Sequence, residues 1–302
     1  MSLRLAILCP GQGAQQAGMF DLARNDAAVA RQIDGWGLPS LETMFANLSA
    51  QPLVVGAGCA MWEALRVRIP KPWLVTGYSV GEVTAMAVAG MLDAPDAIGL
   101  ATHRARLMDA CVNPALPQGL AAASGLSCDQ LTPLLDPVDD RLRLHIAIEN
   151  GIDQYIVGGT VAALEQLVAR VASAGGKLQI LPVSIASHTP WMGAAVLPLR
   201  AWLMQLPLRT PQLRLLSGSG ADTIMSVSAA IAALTRKTVE TVHWRACMDV
   251  MAELGITAAL EIGPGAGLSR MLAARHPGIV CRSVADFRSL DGIVAWVDRL
   301  GN

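Results

Sequence analysis

The sequence lacks the cysteine patterns that mark disulfide frameworks and many metal sites. Its six cysteines are scattered singly, with no CxxC pair and no metal-ligand spacing. Buried thiols in a reducing compartment are the economical interpretation, so we expect a cytoplasmic protein without a bound metal. Only a short apolar run precedes Pro10, and we therefore expect no signal peptide.

Charge is scarce as well. Charged residues make up 16% of the 302 residues and the formal net charge is −1, which argues against nucleic acid as the principal partner. Two long uncharged stretches, residues 43–62 and 178–199, contain proline and several polar groups, so neither makes a good membrane span. Apolar residues, at 53%, can bury the core of one large domain or of a domain that carries a smaller one.

The strongest local signal is a serine between two glycines in residues 73–86. An apolar run leads to Gly77, Ser79 and Gly81, and a helix-compatible run follows. This is the G-x-S-x-G nucleophile elbow in a strand–turn–helix setting. The glycines are needed because a side chain there would collide with the neighbouring strand or helix. Free N–H groups at the helix start could stabilise an oxyanion, although a Gly-Ser turn without chemistry remains the alternative.

A second glycine-rich loop follows the first expected strand, residues 3–9. It reads Pro10-Gly11-Gln12-Gly13 and has neither the G-x-G-x-x-G spacing nor that of a P-loop. The loop is either an ordinary strand-to-helix turn or a segment whose backbone approaches a substrate closely.

The order of apolar patterns predicts an α/β fold with an insertion. We expect a large α/β-hydrolase-like subdomain with a central parallel sheet, made of residues 1–115 and 187–302. Between them, residues 116–186 show the order βαββαβ, which is that of a ferredoxin-like unit. The helical pattern of residues 20–70 is expected to break at residues 35–39 and again near Gln51-Pro52.

A serine hydroxyl needs a neighbouring base, usually histidine, before it can attack a carbonyl carbon. His145 falls in an expected strand and His276 at a charged helix end, so structural or surface roles are expected for both. His188 lies in a turn directly after an apolar strand, where the active sites of α/β proteins gather. Position alone therefore favours His188 and leaves His103 and His243 open.

Six short motifs occur in order along the chain. They are Pro10-Gly11-Gln12-Gly13, Gly77-Tyr78-Ser79-Val80-Gly81-Glu82, Arg104, Ser187-His188, Val242-His243-Trp244 and Gly263-Pro264-Gly265. Together they resemble the malonyl-CoA:acyl-carrier-protein transacylase family, the acyltransferases of fatty acid and polyketide synthesis. The resemblance spans almost the whole chain, including the ferredoxin-like insert.

The resemblance implies a catalytic role for each motif. Ser79 would be the acyl-accepting nucleophile and His188 its general base, oriented by the backbone carbonyl of His243 rather than by a carboxylate. That arrangement would account for the absence of a convincing acid after the serine in the order of an α/β-hydrolase triad. The backbone N–H groups of Gln12 and Val80 would form the oxyanion hole.

Arg104 would grip the substrate carboxylate, since a guanidinium offers a two-pronged, always charged match to a malonyl group. Without the resemblance it would be taken for a surface arginine like Arg106. Asn150 fits a place near the substrate, but with Gly151 it fits a hairpin turn equally well. The further possible substrate-site residues are Gly11, Gly13, Tyr78 and Asn150.

The implied reaction is ping-pong transfer of malonyl from malonyl-CoA, through malonyl-serine, to the thiol of an acyl-carrier protein. That thiol sits on a phosphopantetheine-type arm of the partner, and no bound cofactor, metal, nucleic acid or membrane is expected. A serine thioesterase or hydrolase, with water as the acceptor, and a non-catalytic scaffold are the alternatives of other classes.

Three features of the sequence resemble one branch of the family. Tyr78 stands where the fatty-acid enzyme has histidine, Ser79 follows Gln12 by only 67 residues, and residues 45–53 also match that branch. The branch is the malonyl transferase (epsilon) subunit of malonate decarboxylase. Its carrier subunit has its thiol on a phosphoribosyl-dephospho-CoA group. A transacylase of fatty acid or polyketide synthesis is the alternative.

Overall fold

The computed structural model describes residues 3–136, 143–218 and 221–301. Before the insert, the elements are β1 (Leu5–Cys9), α1 (Asp21–Arg24), α2 (Ala27–Gly35), α3 (Asn47–Leu65), β2 (Leu74–Gly77), α4 (Gly81–Val88) and α5 (Ala94–Asp109). The insert contains β3 (Gln118–Ser124), α6 (Cys128–Leu135), β4 (His145–Glu149), β5 (Gln154–Thr160), α7 (Val161–Ser173) and β6 (Lys177–Ile180). After it come α8 (Gly193–Leu203), β7 (Arg214–Leu216), β8 (Thr223–Ile224), α9 (Val227–Lys237), α10 (Trp244–Glu253), β9 (Ala258–Glu261), α11 (Gly267–Arg275), β10 (Val280–Ser283) and α12 (Leu290–Gly301).

The larger sheet has the strand order β10-β9-β1-β2-β7-β8. Neighbouring strands are parallel from β10 to β7, whereas β8 is antiparallel to β7. All five residues of β1 are buried, as expected of a strand covered by helices on both faces. The predicted α/β fold with a central parallel sheet is thereby confirmed, with the difference that its two-residue edge strand runs the opposite way.

The register of β1 and β2 determines where the two glycine-rich loops meet. Cys9, the last residue of β1, lies opposite Gly77, the last residue of β2. Because parallel strands end at the same edge of the sheet, the loop at residues 10–13 and the elbow serine leave that edge side by side.

The insert forms a four-stranded antiparallel sheet with the order β4-β5-β3-β6, covered by α6 and α7. Helix α6 begins at a capping box of Ser127 and Gln130, and α7 buries Leu164, Leu167 and Val171 against the sheet. The predicted small ferredoxin-like sheet is confirmed. The limits 116–186 remain a prediction.

One predicted helix break is wrong. Helix α3 runs without interruption through Pro52, although α2 does end at Gly35 as expected. Most residues of α3 are buried, so apolar contacts around the helix offset the hydrogen bond that proline cannot make. In the described part of the chain, no helix has the length and apolarity needed to cross a membrane.

Candidate active site

Ser79 lies in the turn between β2 and α4 with a strained backbone. Its φ is 54°, in the left-handed region that residues other than glycine rarely adopt. A Cβ on Gly77 would lie 2.2 Å from the carbonyl oxygen of Gly81, and one on Gly81 would lie 2.1 Å from that of Cys9. Both distances are far below contact, so the two glycines allow the close packing that forces the serine out of the turn.

Ser79 forms a dyad with His188. The Oγ of Ser79 is 2.8 Å from Nε2 of His188, and the Nδ1 of His188 is 2.6 Å from the backbone oxygen of Lys237. A carbonyl can only accept a hydrogen bond, so Nδ1 carries the proton and Nε2 accepts from the serine hydroxyl. His188 is 1% exposed and, like Ser79, has a positive φ, of 61°.

The predicted orienting carbonyl was wrong. The structure assigns this contact to Lys237, the last residue of α9, and not to His243. The carbonyl of His243 instead accepts a hydrogen bond from the N–H of Cys247 in the first turn of α10. The imidazole of His243 contacts the Glu149 carboxylate at 3.1 Å. Six residues separate the two positions, and a backbone carbonyl has no signature in the sequence.

The remaining histidines have other contacts. His103 stacks on the ring of Trp202 at 4.2 Å, and His276 contacts Asp249 at 2.9 Å. His145 lies in β4 of the insert, as predicted. Within the described ranges none of these three contacts Ser79, so His188 is the histidine positioned to interact with the serine hydroxyl.

A pocket of about 620 Å³ lies next to His188, between the insert and the large subdomain. Its walls include Leu144 and His145 from the insert, and Glu240, Thr241 and His243 from the segment after α9. The histidine that contacts Ser79 therefore lines a space large enough for part of a substrate.

The surroundings of His188 favour its neutral form. Burial lowers the pKa of His188 from its ordinary 6.5 to about 3, and the positive charges of Arg104 and Lys237 act in the same direction. The hydrogen bond to the Lys237 carbonyl opposes this shift only partly. At neutral pH the imidazole is therefore free to accept a proton.

Arg104 is an interior residue, 2% exposed, in α5. Its Nη1 donates to Oε1 of Gln51 at 2.7 Å, but among the described residues its buried Nε has no hydrogen-bond partner. Burial lowers the pKa of Arg104 to about 10, against the opposing effect of Glu82, so the side chain is still charged at neutral pH. The surface interpretation fits Arg106, which is exposed, and not Arg104.

Tyr78 joins the elbow to the insert. Its hydroxyl donates to Oδ1 of Asn150 at 3.1 Å, and its ring meets that of Trp244 edge-on at 5.4 Å between centroids. Burial raises the pKa of Tyr78 to about 12, so the phenol remains a donor. Asn150 also makes the predicted turn contact, since its N–H donates to the carbonyl of Gln154.

The glycine loop after β1 passes over the elbow. A Cβ on Gly11 would lie 2.9 Å from the carbonyl oxygen of Tyr78 and 3.4 Å from Cβ of Ser79. Gly13 has φ +125°, which also favours glycine. Val80 directly precedes α4, and the next three N–H groups, those of Gly81, Glu82 and Val83, donate to the carbonyls of Tyr78, Ser79 and Val80. The use of the Gln12 and Val80 N–H groups as an oxyanion hole stays a prediction.

Sequence reasoning missed three side chains behind the dyad, namely Gln51, Glu82 and Lys237. Glu82 was part of the elbow motif but had no predicted role. Lys237 had no predicted role, and because it follows Arg236 at a helix end, where basic residues are common, its position in the sequence does not distinguish it from a surface cation. Gln51 was interpreted as part of a helix break.

Known proteins resemble this chain in both sequence and structure. Residues 41–282 match the family described as "Acyl transferase domain". The malonyl CoA-acyl carrier protein transacylase of Mycobacterium tuberculosis is 30% identical over 303 residues, covering 95% of this chain and 98% of the relative. The solved malonyl-CoA:acyl carrier protein transacylase of Xanthomonas oryzae has a TM-score of 0.89 at 28% identity, covering 99% of each chain. A malonyl-transacylase in complex with its type II PKS acyl-carrier protein gives 0.88 at 25% identity, covering 97% of this chain and 99% of that one.

Proposed function

The chain belongs to the acyl transferase domain family, and we propose that it transfers a malonyl group from malonyl-CoA to the thiol of an acyl-carrier protein. The choice of a malonyl group rests on Arg104, a buried cation whose Nε has no hydrogen-bond partner among the described residues. The positive charge of Arg104 also lies close enough to His188 to lower the pKa of that histidine. A carboxylate on the acyl group would supply the missing partner, whereas an acetyl group would leave the cation unpaired.

In the first half-reaction, Oγ of Ser79 attacks the thioester carbon of malonyl-CoA while Nε2 of His188 takes the hydroxyl proton. The developing oxyanion is stabilised by the N–H groups of Gln12 and Val80. The C–S bond then breaks, His188 returns the proton to the sulfur, CoA leaves as a thiol, and malonyl remains as an ester on Ser79.

The second half-reaction reverses these roles. The thiol of the carrier's phosphopantetheine-type arm gives its proton to Nε2 of His188 and attacks the malonyl-serine carbonyl. The C–O bond to Ser79 breaks, and His188 protonates the serine oxygen. One thioester is consumed and one is formed, so the transfer itself requires no resident redox group.

A second acceptor has one specific observation in its favour. Tyr78, whose hydroxyl donates to Asn150 of the insert, stands where the fatty-acid enzyme has histidine. In this the chain resembles the malonyl transferase subunit of malonate decarboxylase, and the resemblance favours the carrier of that enzyme, with its phosphoribosyl-dephospho-CoA thiol. The named relatives instead favour a carrier of fatty acid or polyketide synthesis. The two proposals share the chemistry at Ser79 and differ only in the acceptor.

The acceptor is tested by incubating the protein with malonyl-CoA alone, with a fatty-acid carrier, and with a malonate decarboxylase carrier subunit. We expect CoA release beyond the first turnover to depend on a carrier, because the malonyl ester on Ser79 must be discharged onto a thiol before the next turnover. Rapid release of malonate without a carrier would identify a thioesterase. A faster rate to the fatty-acid carrier would overturn the malonate decarboxylase branch.

The depressed pKa of His188 predicts an unusual pH profile. His188 must be neutral to accept the serine proton, and the cations Arg104 and Lys237 oppose its protonation, so kcat/KM should stay high as pH falls below 6.5 and decline only toward about 3. Initial rates from about pH 4 to about pH 8, with circular dichroism to exclude unfolding, show whether kcat/KM falls near pH 6.5 or stays high down to the lowest pH measured. A limb near 6.5, in protein that remains folded, would contradict the described surroundings of His188.

A further inference from the structure

Directly behind the dyad lies an ion pair that the proposed reaction does not use. The Nζ of Lys237 is 2.5 Å from Oε1 of Glu82, and the two side chains are 1% and 7% exposed. The same carboxylate oxygen accepts the backbone N–H of Gly218 at 2.7 Å. A Cβ on Gly218 would lie 2.2 Å from Nζ of Lys237, so a glycine is needed at that position for the pair to close.

Lys237 contacts both halves of the dyad, each with a different end. Its ammonium donates to the backbone oxygen of Gly77 at 3.3 Å, and Gly77 lies two residues before Ser79. The same ammonium pairs with Glu82, which lies in the first turn of α4, the helix that follows the serine. The backbone carbonyl of Lys237 holds Nδ1 of His188 at 2.6 Å. One residue therefore connects the strand and helix that carry the nucleophile to the base.

We propose that the buried Glu82–Lys237 ion pair is a positioning device that sets the distance between Ser79 and His188. Fixing the ammonium against Gly77 and Glu82 fixes the end of α9, and with it the carbonyl that aims the imidazole. A buried ion pair is weak evidence of a stabilising role, because its desolvation offsets much of its attraction. A small misplacement of reacting groups, by contrast, lowers a rate steeply. This inference rests on the roles proposed above for Ser79 and His188.

The decisive variant is the neutral pair Glu82→Gln/Lys237→Met. The glutamine keeps an oxygen that can accept the hydrogen bond from the N–H of Gly218. Because both members of the pair are replaced, neither a carboxylate nor an ammonium is left buried without its partner. We expect kcat for malonyl transfer to fall about 10²-fold because the dyad loosens. KM for malonyl-CoA should change less, because Arg104 keeps its hydrogen bond to Gln51 although it loses the favourable charge of Glu82. The melting temperature should be equal to that of the unaltered protein or higher.

Two matched measurements separate positioning from folding. Arg236→Gln removes an exposed cation one residue away on the same helix and should leave kcat unchanged. The rate at which a fluorophosphonate labels Ser79 reports the reactivity of the dyad without malonyl-CoA or a carrier, and it should fall with kcat in the neutral pair.

Unchanged kcat and labelling in the neutral pair would overturn the proposal, as would a loss of rate explained by the unfolded fraction. If the unaltered protein fails to transfer malonyl while its labelling still depends on the pair, the proposed reaction is wrong and the positioning role stands. If Ser79→Ala is inactive but the neutral pair is fully active, the proposed reaction stands and the positioning role is wrong.

Discussion

Replacing Ser79 by alanine is expected to lower kcat for malonyl transfer by about 10⁴-fold or more, because no other group in the site would carry the acyl ester. The backbone should tolerate the change, since the Oγ contact recorded is the one to His188. His188→Ala should cause a loss of similar size, and the double variant little more, because the two residues act as one unit. Steady-state rates with malonyl-CoA and a carrier measure all three.

Ser173→Ala is the matched control, since Ser173 is an exposed serine at the end of α7 and should keep the full rate. Retention of more than about one-tenth of the rate by Ser79→Ala would show that the acyl group travels by another route.

Arg104→Ala is expected to remove the preference for malonyl over acetyl groups. Truncating one partner of a buried charge pair costs about 2–5 kcal/mol, so kcat/KM for malonyl-CoA should fall by about 30-fold to about 5,000-fold. The value for acetyl-CoA should be unchanged or higher, because acetyl leaves the guanidinium without a partner in the unaltered protein. Competing malonyl-CoA and acetyl-CoA in one assay gives the ratio directly.

Two control variants accompany Arg104→Ala. Arg106→Ala removes an exposed arginine two residues along the same helix and should leave the ratio as it is. Arg104→Lys keeps the charge but loses the planar fork that bonds both to Gln51 and to a carboxylate, so it should restore the preference only in part. An unchanged ratio in Arg104→Ala would refute the role of Arg104 as carboxylate clamp.

Local motifs made the acyltransferase family and the fold class predictable, and both are confirmed. The elbow is a contiguous strand–turn–helix pattern, and its glycines are required by contacts that the structure places at 2.1 and 2.2 Å. The ferredoxin-like insert was visible because six elements follow one another with regular apolar spacing and a turn at Asn150-Gly151. Each of these signals lies in one continuous stretch of the chain.

What could not be predicted depends on contacts between distant residues. Glu82 and Lys237 lie 155 residues apart, and nothing near either position indicates that both charges are buried together. The carbonyl that orients His188 belongs to a residue chosen by where α9 ends, so the motif around His243 pointed to the wrong one. The helix break predicted at Pro52 is wrong because burial on all sides of α3 outweighs a missing backbone hydrogen bond.

The polarity of the site also emerges only in three dimensions. Arg104, Lys237 and Glu82 are far apart in the sequence, yet the two cations both lower the pKa of His188 and the carboxylate interacts with both cations. The result is a neutral base next to an incompletely paired guanidinium. That combination suits an acyl group with a carboxylate at its far end, since the substrate brings the negative charge that the site lacks.

In the proposed reaction, the malonyl group is held as an ester on Ser79 between its transfer from one thiol and its transfer to the next. The most direct measurement is the intact mass of the protein after brief exposure to malonyl-CoA, followed by peptide mapping and by addition of a carrier. We expect one malonyl adduct on the peptide containing Ser79, stable without a carrier and discharged onto the carrier thiol. An adduct on another residue, or loss of the adduct to water at the same rate with and without carrier, would contradict it.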